Sequence, residues 1–438
     1  MTSFDREAFF ESAANGANFV PLAHSWPADL ETPLTTWLKI RDKKSPSVLL
    51  ESVEGGETVG RWSFIASNPL WIITAKGNNL TKKWRNGDED NLKGNPLMGL
   101  REWLNSYKIS ALPNLPQFGQ IYGMWGFELI KWIEPKVPIH VQSNNDPPDG
   151  IWMLMDNILI FDQVKRVITA VCYGDLTGGQ KIEEVFEDVI SRLEKLEKLM
   201  SSPLPKIKPL NWQSLDKVKI KTRSNFSQSD FEDAVNKVKE HISCGDIFQI
   251  VLSQRLEAEV EQEPFDIYRS LRMVNPSPYM AYFDFGNWKL IGSSPEVMVK
   301  AARSANNENI VASLRPIAGT RPRGGNPKED LELQNDLLKD PKELAEHVML
   351  VDLGRNDLGR VCKPGSVEVK DLMVIEKYSH VMHIVSEIEG LLSEDKDVLD
   401  LLMATFPAGT VSGAPKIKAM ELIHSFEKEA RGPYSGVY

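Results

Sequence analysis

Glu343-Leu-Ala-Glu-His-Val-Met-Leu-Val-Asp-Leu-Gly-Arg-Asn-Asp357 is the stretch on which the reading of this chain turns. Just ahead of it, Asp340, Pro341 and Glu343 form an N-cap, a first-turn proline and an acidic third position, so a helix starts here. Glu346 then falls on the second turn beside Leu350 and Val351. Its neighbours Ala345, Val348, Met349, Leu350 and Val351 give it little polar company. A buried carboxylate is costly unless it is paired, ligated or protonated. Glu346 therefore reads as a ligand for a hard cation, and Mg2+ takes one or two protein carboxylates with water and substrate oxygens completing its shell.

Working outward, isolated ionisable residues recur among small and apolar ones in Arg315-Pro-Ile-Ala-Gly-Thr-Arg321, Ser379-His-Val-Met-His383, Gly409-Thr-Val-Ser-Gly-Ala-Pro-Lys416 and Arg431-Gly-Pro-Tyr434. Plain core sequence does not scatter charge this way, so something charged is bound. Gly319 and Thr320 read as a turn. Alternation along the strand-like run puts His383 and Val385 on one face. The Gly409–Lys416 block precedes an apolar helix through Ile417, Met420, Ile423 and His424, with Pro415 suited to its first turn. Backbone N–H groups at that helix start, with Lys416, suit a carboxylate. The spacing is not that of a nucleotide-binding P-loop.

The 438 residues carry a formal charge of -10 and an isoelectric point near 5.4, which argues against a nucleic-acid or anionic-membrane surface. With no apolar run approaching a membrane span and no leader-like N-terminus, a cytoplasmic location is expected. Cys172, Cys244 and Cys362 match no zinc or redox spacing and are expected to be reduced and to fill small gaps.

Strand-and-turn grammar fills 47–75 and 151–172, while helices are expected near 97–107 and 180–200, the latter from Ile182, Val185, Phe186, Val189, Leu193 and Leu196. The proline-rich stretch 201–212 predicts a linker between an N-terminal part, 1–200, and a C-terminal part, 213–438. After it, Ser227 caps a helix with Phe231, Val235, Val238 and Ile242 on one face, and Gly245–Gln254 reads as a buried strand. Strands interspersed with helices without a βαβ rhythm give an α+β class.

These blocks, in this order, resemble the chorismate-utilising enzymes, and among them the large subunit of anthranilate synthase. The resemblance implies two large antiparallel sheets in a sandwich with helices outside, in two intertwined subdomains. It implies Mg2+ on Glu346, chorismate against Gly319, Thr320, Lys416 and Tyr434, Glu296 protonating the departing ring hydroxyl, and His383 serving in pyruvate loss. Glu51, Ser52, Asn275, Pro278, Tyr279 and Met280 resemble the pocket that takes L-tryptophan as feedback inhibitor. A carboxylate there can hold an amino group while Pro, Tyr and Met form an apolar slot.

Three rivals are weighed against that reading. Aminodeoxychorismate synthases often carry a nucleophilic lysine where this chain has Ala318. Water-using isochorismate and salicylate synthases carry a lysine where it has Gln249, a poor general base. The third rival is a non-catalytic, tryptophan-binding relative. No cysteine sits in an amidotransferase-like context, so ammonia is expected from a separate glutamine amidotransferase subunit in a hetero-oligomer. Family members continue past the Arg-Gly-Pro-Tyr block with strands, an arginine, a carboxylate-binding turn and a second magnesium glutamate. The 438 residues alone are therefore expected to be C-terminally incomplete, poorly soluble and inactive.

Overall fold

Period-two alternation of apolar residues builds the largest sheet. Val48, Ala281 and Phe283 face one core while Leu49, Met280 and Tyr282 face another, on adjacent paired strands. The structure, a computed structural model, describes all residues except 1–4, 54–59, 111, 113–114, 141–145, 211–219, 305–308 and 379. Seven antiparallel strands follow the order Phe19–Pro27, Val167–Asp175, Asn157–Asp162, Trp62–Ser67, Ser47–Glu51, Tyr279–Asp284 and Lys289–Ser294. A five-stranded sheet, Glu89–Lys93, Asn79–Trp84, Trp71–Lys76, Gly150–Leu154 and Ile121–Trp125, packs on one face through Trp71, Ile73 and Met153.

The opposite face of the seven-stranded sheet is covered by helices Arg6–Ala14, Pro33–Ile40, Ile182–Met200 and Pro264–Val274, which bury Phe9, Trp37, Val189 and Tyr268. The expected sandwich with helices outside is what forms. A third sheet centres on the long Val381–Leu391 strand. Ile310–Leu314 and Ile317–Pro322 pair along one side of it and Glu368–Lys377 along the other. The Pro341–Gly359 helix packs on this sheet through Val351 and Leu358 against Leu314 and Ile388. Asp340 caps it as the sequence predicts, accepting from Lys342 N and Glu343 N.

Four local expectations need correction. Gly245–Gln254 is not a buried strand: only Gln249–Ile250 pairs, with Gly413–Ala414, and Phe248 is 74% exposed. That pairing is close, because a Cβ on Gly413 would sit 2.2 Å from the Gln249 carbonyl oxygen. In the Gln228–Ser243 helix the buried face is Ala234 and Val238, while Val235 and Ile242 are exposed. The small Ala234 lets the helix settle one position away from its bulkiest stripe. Cys172 and Cys362 are buried but Cys244, at a helix C-cap, is exposed and fills nothing. The predicted linker is irregular over 201–210, and its last two residues lie outside those described. It divides the sequence but not the largest sheet, whose strands Ser47–Glu51 and Tyr279–Asp284 pair across it.

Arg431 ties the C-terminal half together. Its guanidinium donates to Glu427 Oε2 at 2.9 Å and Oε1 at 2.6 Å, to the carbonyls of Val411 at 2.9 Å and Val251 at 2.7 Å, and to Ser435 Oγ at 3.0 Å. All five of its N–H groups are used. Arg431→Met would leave Glu427 buried without its counter-charge, and is expected to cost about 3–5 kcal/mol in urea unfolding. The Arg431→Met/Glu427→Leu pair is expected to lose clearly less than the sum of the two single changes.

Candidate active site

The Pro341–Gly359 helix turns one face toward a cleft. Glu346, Leu350, Leu353 and Asp357 follow one another along that face at three- and four-residue spacing. The cleft is lined by Glu296, Arg315, Leu350, Leu353, Asp357 and Thr410, so the 294–298 segment, the start of the third sheet, this helix and the 405–410 loop converge on it.

Glu296 is half-buried, and burial pushes its carboxyl up to about 7. The Thr410 hydroxyl lies 3.2 and 3.0 Å from its two oxygens and opposes that rise. A carboxyl of this kind is an acid available near neutral pH. Ser294 Oγ accepts from Glu296 N at 3.3 Å and fixes the turn that presents the residue. Thr410 escapes a sequence reading because its role depends on a partner 114 residues away.

Arg315 pairs through Nη2 with Glu376, and its buried Nε has no hydrogen-bond partner among the described residues. Glu376 also accepts from Tyr378 OH at 2.8 Å, and the Tyr378 ring meets His383 edge-on at 5.7 Å. His383 Nδ1 lies 3.1 Å from the Gly319 carbonyl and 3.0 Å from Thr320 Oγ1. A carbonyl only accepts, so Nδ1 carries the proton and Nε2 is left as the basic nitrogen. Gly319 supplies the left-handed φ of +74° that bulges its strand here, between Ala318 and Thr320. Ala318 is itself buried, paired with Ile384.

Glu346 is half-buried and accepts from Gln249 Nε2 at 2.7 Å. The other atom of that amide, Gln249 Oε1, is buried and has no partner among the described residues. Among the described residues no three His, Cys, Asp or Glu side chains converge as a metal cage. Since Gln249 turns its NH2 toward this carboxylate, the oxygen left for a hard cation that keeps water and substrate in its shell is that of Glu346 alone.

Two expected substrate contacts sit differently. Lys416 does not stand free for an anion: its largely buried ammonium holds Asp357 Oδ2 at 2.7 Å and the Thr405 carbonyl at 2.9 Å. Burial lowers the pKa of Lys416 and raises that of Asp357. Pro415 is the N-cap of the following helix rather than part of its first turn. Tyr434 is 53% exposed, with the Arg431 guanidinium 5.8 Å from its ring.

The second constellation does assemble. Glu51 and Met280 are register partners on paired strands, and Met280 pairs in turn with Ser293. Glu51 is buried, with Oε2 accepting from Tyr268 OH at 2.6 Å and Arg272 Nε at 3.1 Å, and burial raises its pKa. Its Oε1 and Ser52 Oγ are buried without partners among the described residues. Asn275 Nδ2 reaches Ser293 Oγ at 3.3 Å, Pro278 is buried and Tyr279 half-buried beside it.

Residues 45–438 match the family described as chorismate binding enzyme. The chain is 52% identical over 435 residues to the anthranilate synthase component 1 of Synechocystis, covering 98% of this chain and 85% of that protein. It is 42% identical to the protein of the same name from Acetivibrio thermocellus, over 97% of this chain and 84% of that one. The solved anthranilate synthase component I of Streptococcus pneumoniae superposes with a TM-score of 0.71 at 33% identity, covering 94% of this chain and 86% of that chain. The menaquinone-specific isochorismate synthase of Escherichia coli shares the fold, with a TM-score of 0.66 at 16% identity over 98% of this chain and 86% of its own. An acid poised near neutrality, a histidine held by a glycine turn and the carboxylate of Glu346 thus lie within a match running from residue 45 to the last, and the chain belongs to the chorismate binding enzymes.

Proposed function

We propose that the chain is the large subunit of an anthranilate synthase, converting chorismate and ammonia to anthranilate and pyruvate as the first step of L-tryptophan biosynthesis. The observation that carries this is Glu296, a half-buried carboxyl pushed up to about 7 in a cleft shared with Arg315 and Thr410. Protonated, it gives its proton to the departing ring hydroxyl, which leaves as water while ammonia adds to the ring. In the second step the ring loses a proton and the enolpyruvyl group leaves as pyruvate. His383, with Nδ1 tied to Gly319, presents Nε2 for proton handling there.

Glu346 would hold Mg2+, which supplies positive charge to the substrate carboxylate when bound. Ala318 offers no nucleophile and Gln249 no base for water, which favours ammonia over the lysine-dependent routes of related enzymes. The relatives' designation as a first component supports a glutamine amidotransferase subunit as ammonia source, and hence a hetero-oligomer. The unpaired Glu51 Oε1 and Ser52 Oγ, beside Met280 and Tyr279, support L-tryptophan as the ligand of the second pocket, acting as feedback inhibitor.

Joined to the remaining segment of a relative such as the Synechocystis protein, 85% of which the match spans, the chain is expected to yield fluorescent anthranilate from chorismate with ammonium and Mg2+, and the variants below are measured in that setting. Glu346→Gln is expected to lower turnover about a hundredfold or more and abolish the Mg2+ response. Unchanged turnover and metal requirement would remove the assignment.

Glu296→Gln is expected to slow amination roughly 10²–10⁴-fold. In the wild type, the acid form is present below about pH 7 and lost above it, so turnover should fall on the basic side. Stability moves with it. Because the folded pKa is raised, the buried carboxylate weakens the fold above about pH 7 and has no effect below the unfolded value. Glu296→Gln should therefore be more stable than wild type by roughly 1–3 kcal/mol at pH 8, with the gap closing by pH 4.

Ser52→Ala and Met280→Ala are each expected to raise the half-inhibitory tryptophan concentration roughly tenfold, with turnover within twofold of wild type. Inhibition curves identical to wild type would leave the pocket without a regulatory role.

A further inference from the structure

Two local costs meet at one hydroxyl beneath the candidate site. Met373 lies inside a strand with φ of +58°, a left-handed conformation unusual for a non-glycine residue. It sits where the pairing of Glu368–Lys377 with Val381–Leu391 slips, between Asp371 and Val374. Its N–H donates to Ser386 Oγ at 2.9 Å. The same oxygen lies 2.6 Å from Nε2 of His347, whose other ring nitrogen is buried with no partner among the described residues. Both His347 and Ser386 are fully buried. Strain and an unsatisfied buried polar atom persist only where the surroundings impose them, and such pairs cluster at functional sites.

Ser386 Oγ accepts from the Met373 N–H and shares a second hydrogen bond with His347 Nε2, so one buried hydroxyl joins a backbone group to a buried imidazole. Ser386 also donates its backbone N–H to the Pro316 carbonyl at 3.2 Å. One residue thus clamps three elements: the helix that carries Glu346, the bulged strand at Met373 and the segment leading to Gly319. His383 lies three residues before Ser386 on the same strand.

We propose that His347 and Ser386 are positioning residues, an imidazole and a hydroxyl that lock the helix bearing Glu346 to the strand bearing His383. The pair touches no reacting atom. It sets the spacing between the two groups that do, so its metal readout rests on the reading of Glu346 as a cation ligand. His347→Leu keeps volume but offers no hydrogen-bonding atom. His347→Gln puts an amide near the place of Nε2. Ser386→Ala removes the hydroxyl and nothing else.

The experiment uses the full chain, with Mn2+ as the probe followed by electron paramagnetic resonance and amide exchange at Met373 followed by NMR. His347→Leu and Ser386→Ala are expected to weaken Mn2+ binding roughly tenfold, the usual effect of losing a group that supports a metal ligand. Exchange at Met373 should quicken at least tenfold, while His347→Gln stays within about twofold on both readouts. A folded His347→Leu that binds Mn2+ and protects Met373 like wild type overturns the proposal. So does a His347→Gln as damaged as His347→Leu, which would make the role one of packing. If His347→Leu does not fold, Ser386→Ala decides by the same criteria. Glu346→Gln separates the two ideas: if it leaves Mn2+ binding unchanged, the metal reading fails, and the clamp then stands or falls on Met373 exchange alone.

Discussion

The guanidinium of Arg431 is the constraint on which the catalytic half depends. It is almost wholly buried, and its five donors reach a carboxylate, two main-chain carbonyls and a hydroxyl on four separate stretches of chain. Val251 lies two residues beyond Gln249, Val411 one beyond Thr410, and Glu427 ends the helix that Lys416 begins. Glu427 also accepts from Ser253 N at 2.8 Å, closing the frame from the other side. The partners of Glu346 and of Glu296 are therefore held by one planar cation. A lysine could not replace it, since a point charge with three donors cannot satisfy a fork of five.

Around that frame the site divides into a rigid helix and a set of turns. The helix supplies Glu346 and Asp357 from one face and His347 from its sheet-facing side. The turns supply Thr410, Gly319 and the segment at Glu296. Asp357 is occupied by Lys416, which makes the pair a tether between helix and loop rather than an anion receptor. What the cleft offers a ligand is the acid at Glu296, while Arg315 Nε and Gln249 Oε1 are buried and without partners among the described residues.

The sequence made much of this legible because local signals agreed with the final packing. Asp340 caps its helix, Ser227 caps another, and alternation at Val48–Leu49 and Met280–Phe283 sorts residues onto the correct faces. The failures are as instructive. Gly245–Gln254 looks like a core strand by composition, but Phe248 is turned outward, and the pairing with Gly413–Ala414 covers only two residues. Lys416 looked like a free cation because its counter-ion is 59 residues upstream. Thr410, Arg431 and the His347–Ser386 contact were invisible for the same reason: each works through a partner remote in sequence, and no periodicity encodes it.

The pairing of Ser47–Glu51 with Tyr279–Asp284 has a consequence for how the chain is made. Five strands of the largest sheet lie before residue 176, yet the strand that closes their open side begins at Tyr279. At ordinary elongation rates the ribosome needs roughly 10–45 s to pass from one to the other. During that interval the Ser47–Glu51 edge exposes unpaired main-chain groups beside Leu49 and Leu50, a template for pairing with a neighbouring nascent chain. The pairing that completes the largest sheet is thus one the growing chain can make only late, after most of the sheet it closes has already been synthesised.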